Sequence, residues 1–152
     1  MIETIKGDIT WSKADYICHQ VNCQGKMNSG VAKAIREKWP KVYEEYSKLM
    51  HLEMLGHIQT VYLGEENGHS KSVINMFAQY TYGYDGRRYT SYDAFWTCLG
   101  EIHARVPKGK TIAFPRYIGC VRGGAKWNII YTMICEALDE DYNIEFWDYD
   151  GG

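Results

Sequence analysis

Apolar residues follow two different spacings along the chain, and each spacing predicts a different element. Short apolar runs, which are typical of buried strands, occur at residues 2–6, 16–21, 57–63, 73–78, 111–114 and 144–147. Between the third and fourth runs, residues 64–70 are polar and are predicted to form a turn. The pattern therefore predicts strands within one domain that spans residues 1–152.

Segments between these runs have apolar residues at helical spacing instead. Pro40 ends the first of these predicted helices and suits the first turn of a second, whose apolar face reaches Met50. Thr90 or Ser91 is expected to cap a third helix, and residues 127–138 predict a fourth. Strands that alternate with helices predict an α/β fold, with helices on both faces of a largely parallel sheet.

Two glycine-bearing loops follow predicted strands, at residues 20–30 and at residues 118–124. In open sheets of this kind, ligands bind at the carboxyl ends of the strands, where both loops are expected to lie. Glycines and a helix N-terminus present backbone N–H groups to an anion, so we expect one ligand with phosphate groups between the loops. The alternative is a pair of ordinary strand–helix turns, because neither loop spells a Walker A or a dinucleotide-binding fingerprint.

Composition narrows the class of protein. The net charge of −2 argues against an extended nucleic-acid footprint and against a polybasic membrane patch. The chain has no apolar run long enough to span a membrane and no secretory leader, so we expect a soluble, cytoplasmic protein and a monomer. The aromatic content of 14% hints at stacking surfaces.

The cysteines indicate no disulfide framework and no zinc site, because their number is odd and none of them forms a C-x-x-C pair. They are Cys18, Cys23, Cys98, Cys120 and Cys135. We expect neither a metal nor another cofactor. Cys23 and Cys120 lie within the two glycine loops and are either functional thiols or small residues that fill tight loops.

Three blocks of sequence stand out: residues 5–10, residues 19–25 with Met27 and residues 30–32 behind them, and Pro115 with residues 118–120 and Trp127. Together these blocks resemble a macro domain. The resemblance is to the branch that holds ADP-ribose 1''-phosphate phosphatases, terminal ADP-ribose glycohydrolases and short stand-alone bacterial and phage proteins. It implies a three-layer α/β/α sandwich around a mixed, largely parallel sheet, with ADP-ribose in a cleft on the rim of the sheet.

The resemblance also implies which residues contact the ligand. Asp8 matches an acidic residue that accepts a hydrogen bond from the adenine amino group, and Trp147 either flanks the adenine or belongs to the core. The second glycine loop would supply N–H donors to the diphosphate, and the first would wrap the distal ribose. The full implied set is Asp8, Ile9, Asn22, Gly25, Asn28, Ser29, Gly30, Val31, Gln79, Ile118, Gly119, Cys120, Val121, Arg122, Gly123, Gly124 and Trp147.

The chain departs from the glycohydrolase pattern at two positions. Those enzymes place a lysine after the strand predicted at residues 73–78, and an aspartate in the second loop. Here the corresponding residues are Gln79 and Gly123. Glutamine cannot form a Schiff-type adduct with the distal ribose, so lysine-dependent removal of ADP-ribose from protein or DNA is not expected.

The phosphatase branch matches better, because its His-x-x-Asn-Cys-x-Gly order recurs here, with His19 and Asn22 as the candidate catalytic residues. A histidine with a pKa near neutrality suits proton relay at a terminal phosphate, with Asn22 holding the distal ribose. Alternation along the strand could instead point His19 into the core. Asp85 could supply a carboxylate partner for His19, or could simply form a turn with Gly86.

The resemblance thus predicts hydrolysis of ADP-ribose 1''-phosphate to ADP-ribose and phosphate. One alternative is a non-catalytic reader or sponge for ADP-ribose or for a related NAD-derived nucleotide. Another is ADP-ribosyl hydrolysis by residues outside the known patterns. In each case the expected partner is a small molecule, either ADP-ribose or ADP-ribose 1''-phosphate.

Overall fold

The computed structural model describes residues 1–28 and 30–149, which form a mixed six-stranded sheet with helices on both faces. The strands are β1 (Ile2–Lys6), β2 (Tyr16–Asn22), β3 (Ile58–Glu66), β4 (His69–Gln79), β5 (Thr111–Pro115) and β6 (Asn143–Asp148). Their order across the sheet is β1-β6-β5-β2-β4-β3. Neighbouring strands run parallel except for β3, which pairs antiparallel with β4 at one edge.

Helices cover the two faces of the sheet and create two separate cores. The helices are α1 (Gly30–Lys38), α2 (Pro40–Ser47), α3 (Tyr92–Arg105) and α4 (Trp127–Leu138). Alternate residues of β4 enter different cores because successive strand side chains point to opposite faces. Val73 and Phe77 pack with α1 and α2, whereas Ile74 and Met76 pack with α3 and α4. This three-layer arrangement confirms the predicted fold class.

The end of β3 and the start of β4 differ from the sequence prediction. Residues 64–70 were predicted to be a polar turn, but β3 and β4 continue their antiparallel pairing to Glu66 and His69. The turn narrows to Asn67 and Gly68, which both adopt positive φ, as tight hairpin turns require. Polar side chains do not prevent pairing here, because this end of the hairpin is exposed to solvent on both faces.

Helix ends also differ in detail. Pro40 begins α2 as predicted, but the helix ends at Ser47, so Met50 lies beyond it, next to a short 3-10 helix at His51–Glu53. Ser91 caps α3, with its hydroxyl accepting from the backbone N–H of Ala94 at 3.1 Å. Thr90 was an equal candidate for this cap, and its hydroxyl is used elsewhere.

The parallel strands β2, β4 and β5 are neighbours, and their carboxyl ends meet on one edge of the sheet. The loop after β2 and the loop after β5 therefore lie side by side on this edge, which we call the rim. Among the helices of the described ranges, none is long and apolar enough to cross a bilayer.

Candidate functional site

A cleft of about 390 Å³ opens on the rim between the two glycine loops. Both loops contribute to its wall, together with the ends of β2 and β4 and the segment of residues 82–84. The structure places the following predicted residues in this wall: His19, Asn22, Asn28, Gly30, Val31, Gln79, Ile118, Gly119, Cys120, Val121, Arg122 and Gly123. The cleft is thus formed by segments far apart in sequence that the sheet order brings together.

Other predicted residues lie outside the wall of this cleft. Gly25 and Gly124 belong to the two loops but do not line the cleft, and Ser29 falls outside the described residues. Asp8 and Ile9 follow β1, and Trp147 is in β6. These two strands lie beyond β5, so their residues share the rim but are displaced along it from the cleft.

Local hydrogen bonds hold the side chains of Asp8 and Trp147, two for Asp8 and one for Trp147. One oxygen of the Asp8 carboxylate accepts from both the backbone N–H and the hydroxyl of Thr10, each at 2.8 Å, which caps a short 3-10 helix at Ile9–Trp11. The indole N–H of Trp147 donates to Glu145 at 2.8 Å. Both side chains are therefore held in place at the end of the rim formed by β1 and β6.

Asn22 organises the first glycine loop. Its side-chain oxygen accepts from the backbone N–H groups of Gln24 at 2.9 Å and Lys26 at 3.3 Å. Its amide nitrogen donates to the carbonyl of Lys26 at 2.9 Å. The buried Tyr46 hydroxyl donates to the carbonyl of Asn22 at 2.7 Å. These bonds shape the loop and leave one N–H of the Asn22 amide for a ligand.

His19 lies in the cleft wall but is only 1% exposed. Its Nε2 donates to the side-chain oxygen of Asn75 at 2.5 Å, and Asn75 in turn donates to Gln59 at 2.9 Å. Burial lowers the pKa of His19 to about 4, against a smaller opposing effect of the hydrogen bond to Asn75. The ring is therefore neutral at pH 7, with an unprotonated Nδ1 that has no partner within the described residues.

The second glycine loop is packed against the segment that precedes α3. The Thr90 hydroxyl donates to the carbonyl of Gly119 at 2.8 Å. A Cβ at Gly123 would overlap that hydroxyl and the Gly119 carbonyl, and a Cβ at Gly124 would lie 2.7 Å from the carbonyl of Arg87. No side chain, an aspartate included, fits at position 123 without moving the loop.

Gln79 is committed to the same network. Its oxygen accepts from the amide nitrogen of Gln20 at 2.7 Å, and its own amide nitrogen donates to the carbonyl of Thr81 at 2.9 Å. Gln20 also donates to Thr90 at 2.8 Å. The two positions at which this chain departs from the glycohydrolase pattern, Gln79 and Gly123, are thus joined through Gln20 and Thr90.

The ionisable side chains in the cleft wall favour an anionic ligand. Lys26, Arg116 and Arg122 line it, and no carboxylate does so in the described ranges. Arg116 is partly neutralised by Asp148 at 2.9 Å. Burial raises the pKa of the Cys120 thiol to about 11, so this cysteine is a neutral thiol at pH 7 and a poor nucleophile.

Several wall residues were not predicted from the sequence. Tyr82 and Tyr84 line the cleft, as do Arg116 and Tyr117. Tyr84 is 72% exposed, and the Arg122 guanidinium lies 4.5 Å from the centre of its ring. The high aromatic content of the chain was a signal for the three tyrosines, whereas no sequence signal singled out Arg116.

Asp85 lies outside the cleft wall and serves a local turn. Its carboxylate accepts from the Tyr89 hydroxyl at 2.7 Å and pairs with Arg87 at 3.2 Å. Gly86 has a positive φ of 80°. These contacts match the turn that was the alternative to a carboxylate partner for His19.

Comparison with known proteins gives a consistent family. The sequence model of the family described as Macro domain matches residues 18–134. The fold is similar to the macrodomain of Mycobacterium tuberculosis DarG, with a TM-score of 0.81, 19% identity and 97% of each chain covered. A protein of unknown function from Bacteroides thetaiotaomicron is 29% identical, with a TM-score of 0.78 and coverage of 97% of this chain and 98% of that one.

A third similar structure is a Trypanosoma brucei macrodomain in complex with ADP-ribose. It has a TM-score of 0.67 and 18% identity, over 97% of this chain and 63% of that one. The curated proteins include no match to the sequence.

Proposed function

Because this chain belongs to the macro domain family, we propose that its rim cleft binds ADP-ribose or a derivative modified at the distal ribose. The observation that carries the proposal is the second glycine loop. The N–H groups of residues 121–123 make no backbone–backbone hydrogen bond within the described ranges, and these residues line a cleft whose charged side chains are cationic. This combination suits a diphosphate.

The two ends of the rim suit the two ends of such a ligand. Asp8 uses one carboxylate oxygen for Thr10, and within the described residues the other has no hydrogen-bond donor, so it could accept from an adenine amino group. Trp147, held by Glu145, is a half-buried aromatic side chain in the same region, and it also packs against the core. The distal ribose would then lie against the first loop, near Asn22.

A second candidate function is hydrolysis of ADP-ribose 1''-phosphate. What supports it is the Nδ1 atom of His19, which is buried and has no hydrogen-bond partner within the described residues. With a pKa of about 4, His19 cannot donate a proton as a general acid at neutral pH. Its role would be to accept a hydrogen bond from water or from the substrate. The cleft wall has no carboxylate among the described residues that could act as a general base, and this favours the non-catalytic reader instead.

Lysine-dependent removal of ADP-ribose is not part of the proposal. Gln79 stands in place of the lysine and is hydrogen-bonded on both sides of its amide. An aspartate at position 123 would overlap the Thr90 hydroxyl.

Calorimetry with ADP-ribose tests binding, with AMP and ribose 5-phosphate as partial ligands. We expect a single saturable site for ADP-ribose and weaker binding of either fragment, because each fragment occupies only part of the rim. An absence of heat at millimolar ADP-ribose would contradict the proposal. Phosphate release from ADP-ribose 1''-phosphate then separates the candidates, since a chain that binds but releases nothing above a buffer control is a reader.

A further inference from the structure

Asn28 is an exposed residue of the first glycine loop that faces two surfaces. It lines the rim cleft, and it also lines a shallow groove on the other side of the loop, between α1 and α2. Its amide is therefore within reach of both a ligand in the cleft and the side chains of those helices.

Arg36 holds the Asn28 amide from the groove side. Its Nη1 donates to the Asn28 side-chain oxygen at 3.1 Å. Its guanidinium lies 3.6 Å from the centre of the Tyr43 ring, in a cation–π contact with α2. The arginine is thus held between the ring and the loop, and it is planar and rigid compared with a lysine.

The chemistry of arginine decides which end of the amide remains for a ligand. A guanidinium has donors only, so the Asn28 oxygen must face it and accept. The two N–H donors of the Asn28 amide are then the groups left for the cleft. Without Arg36, the amide could turn over and present its oxygen instead, which would repel a phosphate.

We propose that Arg36 is a positioning residue that keeps the Asn28 amide oriented as a hydrogen-bond donor to an oxygen of the bound ligand, a phosphate or ribose oxygen. The inference rests on the proposed binding of ADP-ribose. Arg36 does not line the cleft, so it acts through Asn28 rather than by touching the ligand.

A double-mutant cycle measured by calorimetry with ADP-ribose tests the coupling. We expect Asn28→Ala to weaken binding about fivefold and Arg36→Met about threefold, since each removes or misdirects one hydrogen bond. In the Asn28→Ala background, Arg36→Met should weaken binding by less than about twofold. The control is Lys33→Met, which removes an exposed cation of the same helix outside the cleft and should change affinity by less than about twofold.

Nuclear magnetic resonance gives a readout that a purely structural role of Arg36 would not change. The side-chain NH₂ signals of Asn28 should shift on addition of ADP-ribose to the wild type and should shift much less in Arg36→Met. If Arg36→Met and Lys33→Met reduce the affinity for ADP-ribose equally, the effect is a long-range effect of charge and the inference is overturned. The inference is also overturned if Arg36→Met reduces the affinity by the same factor in the wild type and in the Asn28→Ala background.

In those two outcomes the wild type still binds ADP-ribose, and the proposed function stands. If the wild type does not bind ADP-ribose at all, both the proposed function and the role of Arg36 are wrong.

Discussion

His19 shows how neighbouring amides set the chemistry of one side chain. The carbonyl of Glu45 can only accept, and it accepts from the Gln59 amide nitrogen at 3.0 Å. The Gln59 oxygen must then face Asn75, whose own oxygen faces His19. This chain of hydrogen bonds places the proton of the neutral ring on Nε2 and leaves Nδ1 as an acceptor.

The lowered pKa of His19 predicts acid sensitivity of the fold. The unfolded chain binds a proton at this histidine below about pH 6.5, whereas the folded chain resists protonation down to about pH 4. Stability from His19 is therefore complete above pH 6.5 and is lost as the pH falls from there to 4. In urea unfolding, we expect His19 to account for a loss of about 2 kcal/mol between pH 7 and pH 5.

The matched variant is His19→Gln, which keeps a donor for Asn75 but does not titrate. The other titrating groups are shared, so the variant should lose less stability than the wild type over this pH interval. Identical losses in the two proteins would show that His19 does not resist protonation in the folded state.

The side-chain amide of Gln20 and the hydroxyl of Thr90 link the strand ends at the rim to the second glycine loop. Gln20 in β2 donates to Gln79 in β4 and to Thr90. Thr90 donates to Gly119 in the second glycine loop, and the carbonyl of Gly123 accepts from the backbone N–H of Thr90 at 3.0 Å. The second loop therefore keeps its shape through contacts with Thr90 as well as through its own backbone bond from the N–H of Ala125 to the carbonyl of Gly119 at 3.0 Å.

Thr90→Val tests this coupling between elements. The substitution conserves shape but removes the hydroxyl from a site that is 2% exposed. Gln20 then keeps only its bond to Gln79, and the Gly119 carbonyl keeps only its bond from the N–H of Ala125. We expect a loss of about 1–3 kcal/mol in the free energy of unfolding, together with weaker binding of ADP-ribose. Thermal and urea unfolding measure the first effect, and calorimetry measures the second.

The matched control is Thr97→Val in α3. It removes an exposed hydroxyl that donates to the carbonyl of Asp93 four residues earlier. Because that carbonyl is accessible to water, we expect a change within about 0.5 kcal/mol and unchanged ligand binding. A Thr90→Val protein that behaves like this control would contradict the role of the network.

The molecule as a whole carries a net charge of −2, yet the charged side chains of its cleft wall are cationic in the described ranges. Local charge, not net charge, therefore decides which ligand the cleft attracts. The parallel strands bring both glycine loops to one edge of the sheet, so backbone N–H groups from two distant segments lie beside these cationic side chains. Binding at this edge contacts segments from across the chain, so it should stabilise the entire fold.

ADP-ribose at about 100 times its Kd should stabilise the protein by about 2.7 kcal/mol, which raises the Tm by about 5–10 °C. Gly123→Ala should abolish most of that increase, because its Cβ would displace the second loop. Gly100→Ala is the control, since its Cβ would project from α3 into open space. Differential scanning fluorimetry with and without ADP-ribose would contradict the prediction if both variants kept the full increase.

Local patterns in the sequence were sufficient to predict the strands, the helices and the two glycine loops. Periodic apolar residues predicted the strands and helices, because burial of one face requires that spacing. The boundary at residues 64–70 was wrong, because pairing between β3 and β4 outweighs the polarity of an exposed hairpin end. Glycines 119 and 123 marked the second loop because close approach of backbone segments tolerates no side chain.

The tertiary structure decided what the candidate site can do. The neutrality of His19, the orientation of Asn28 by Arg36 and the link from Thr90 to Gly119 all depend on contacts between segments that no local pattern relates. Hydrogen-bond partners and desolvation set the protonation and direction of a polar side chain, and both are known only once the chain is folded. The sequence by itself therefore determined the family, the sheet and the place of the cleft, whereas folding determined which atoms face a ligand as donors or acceptors.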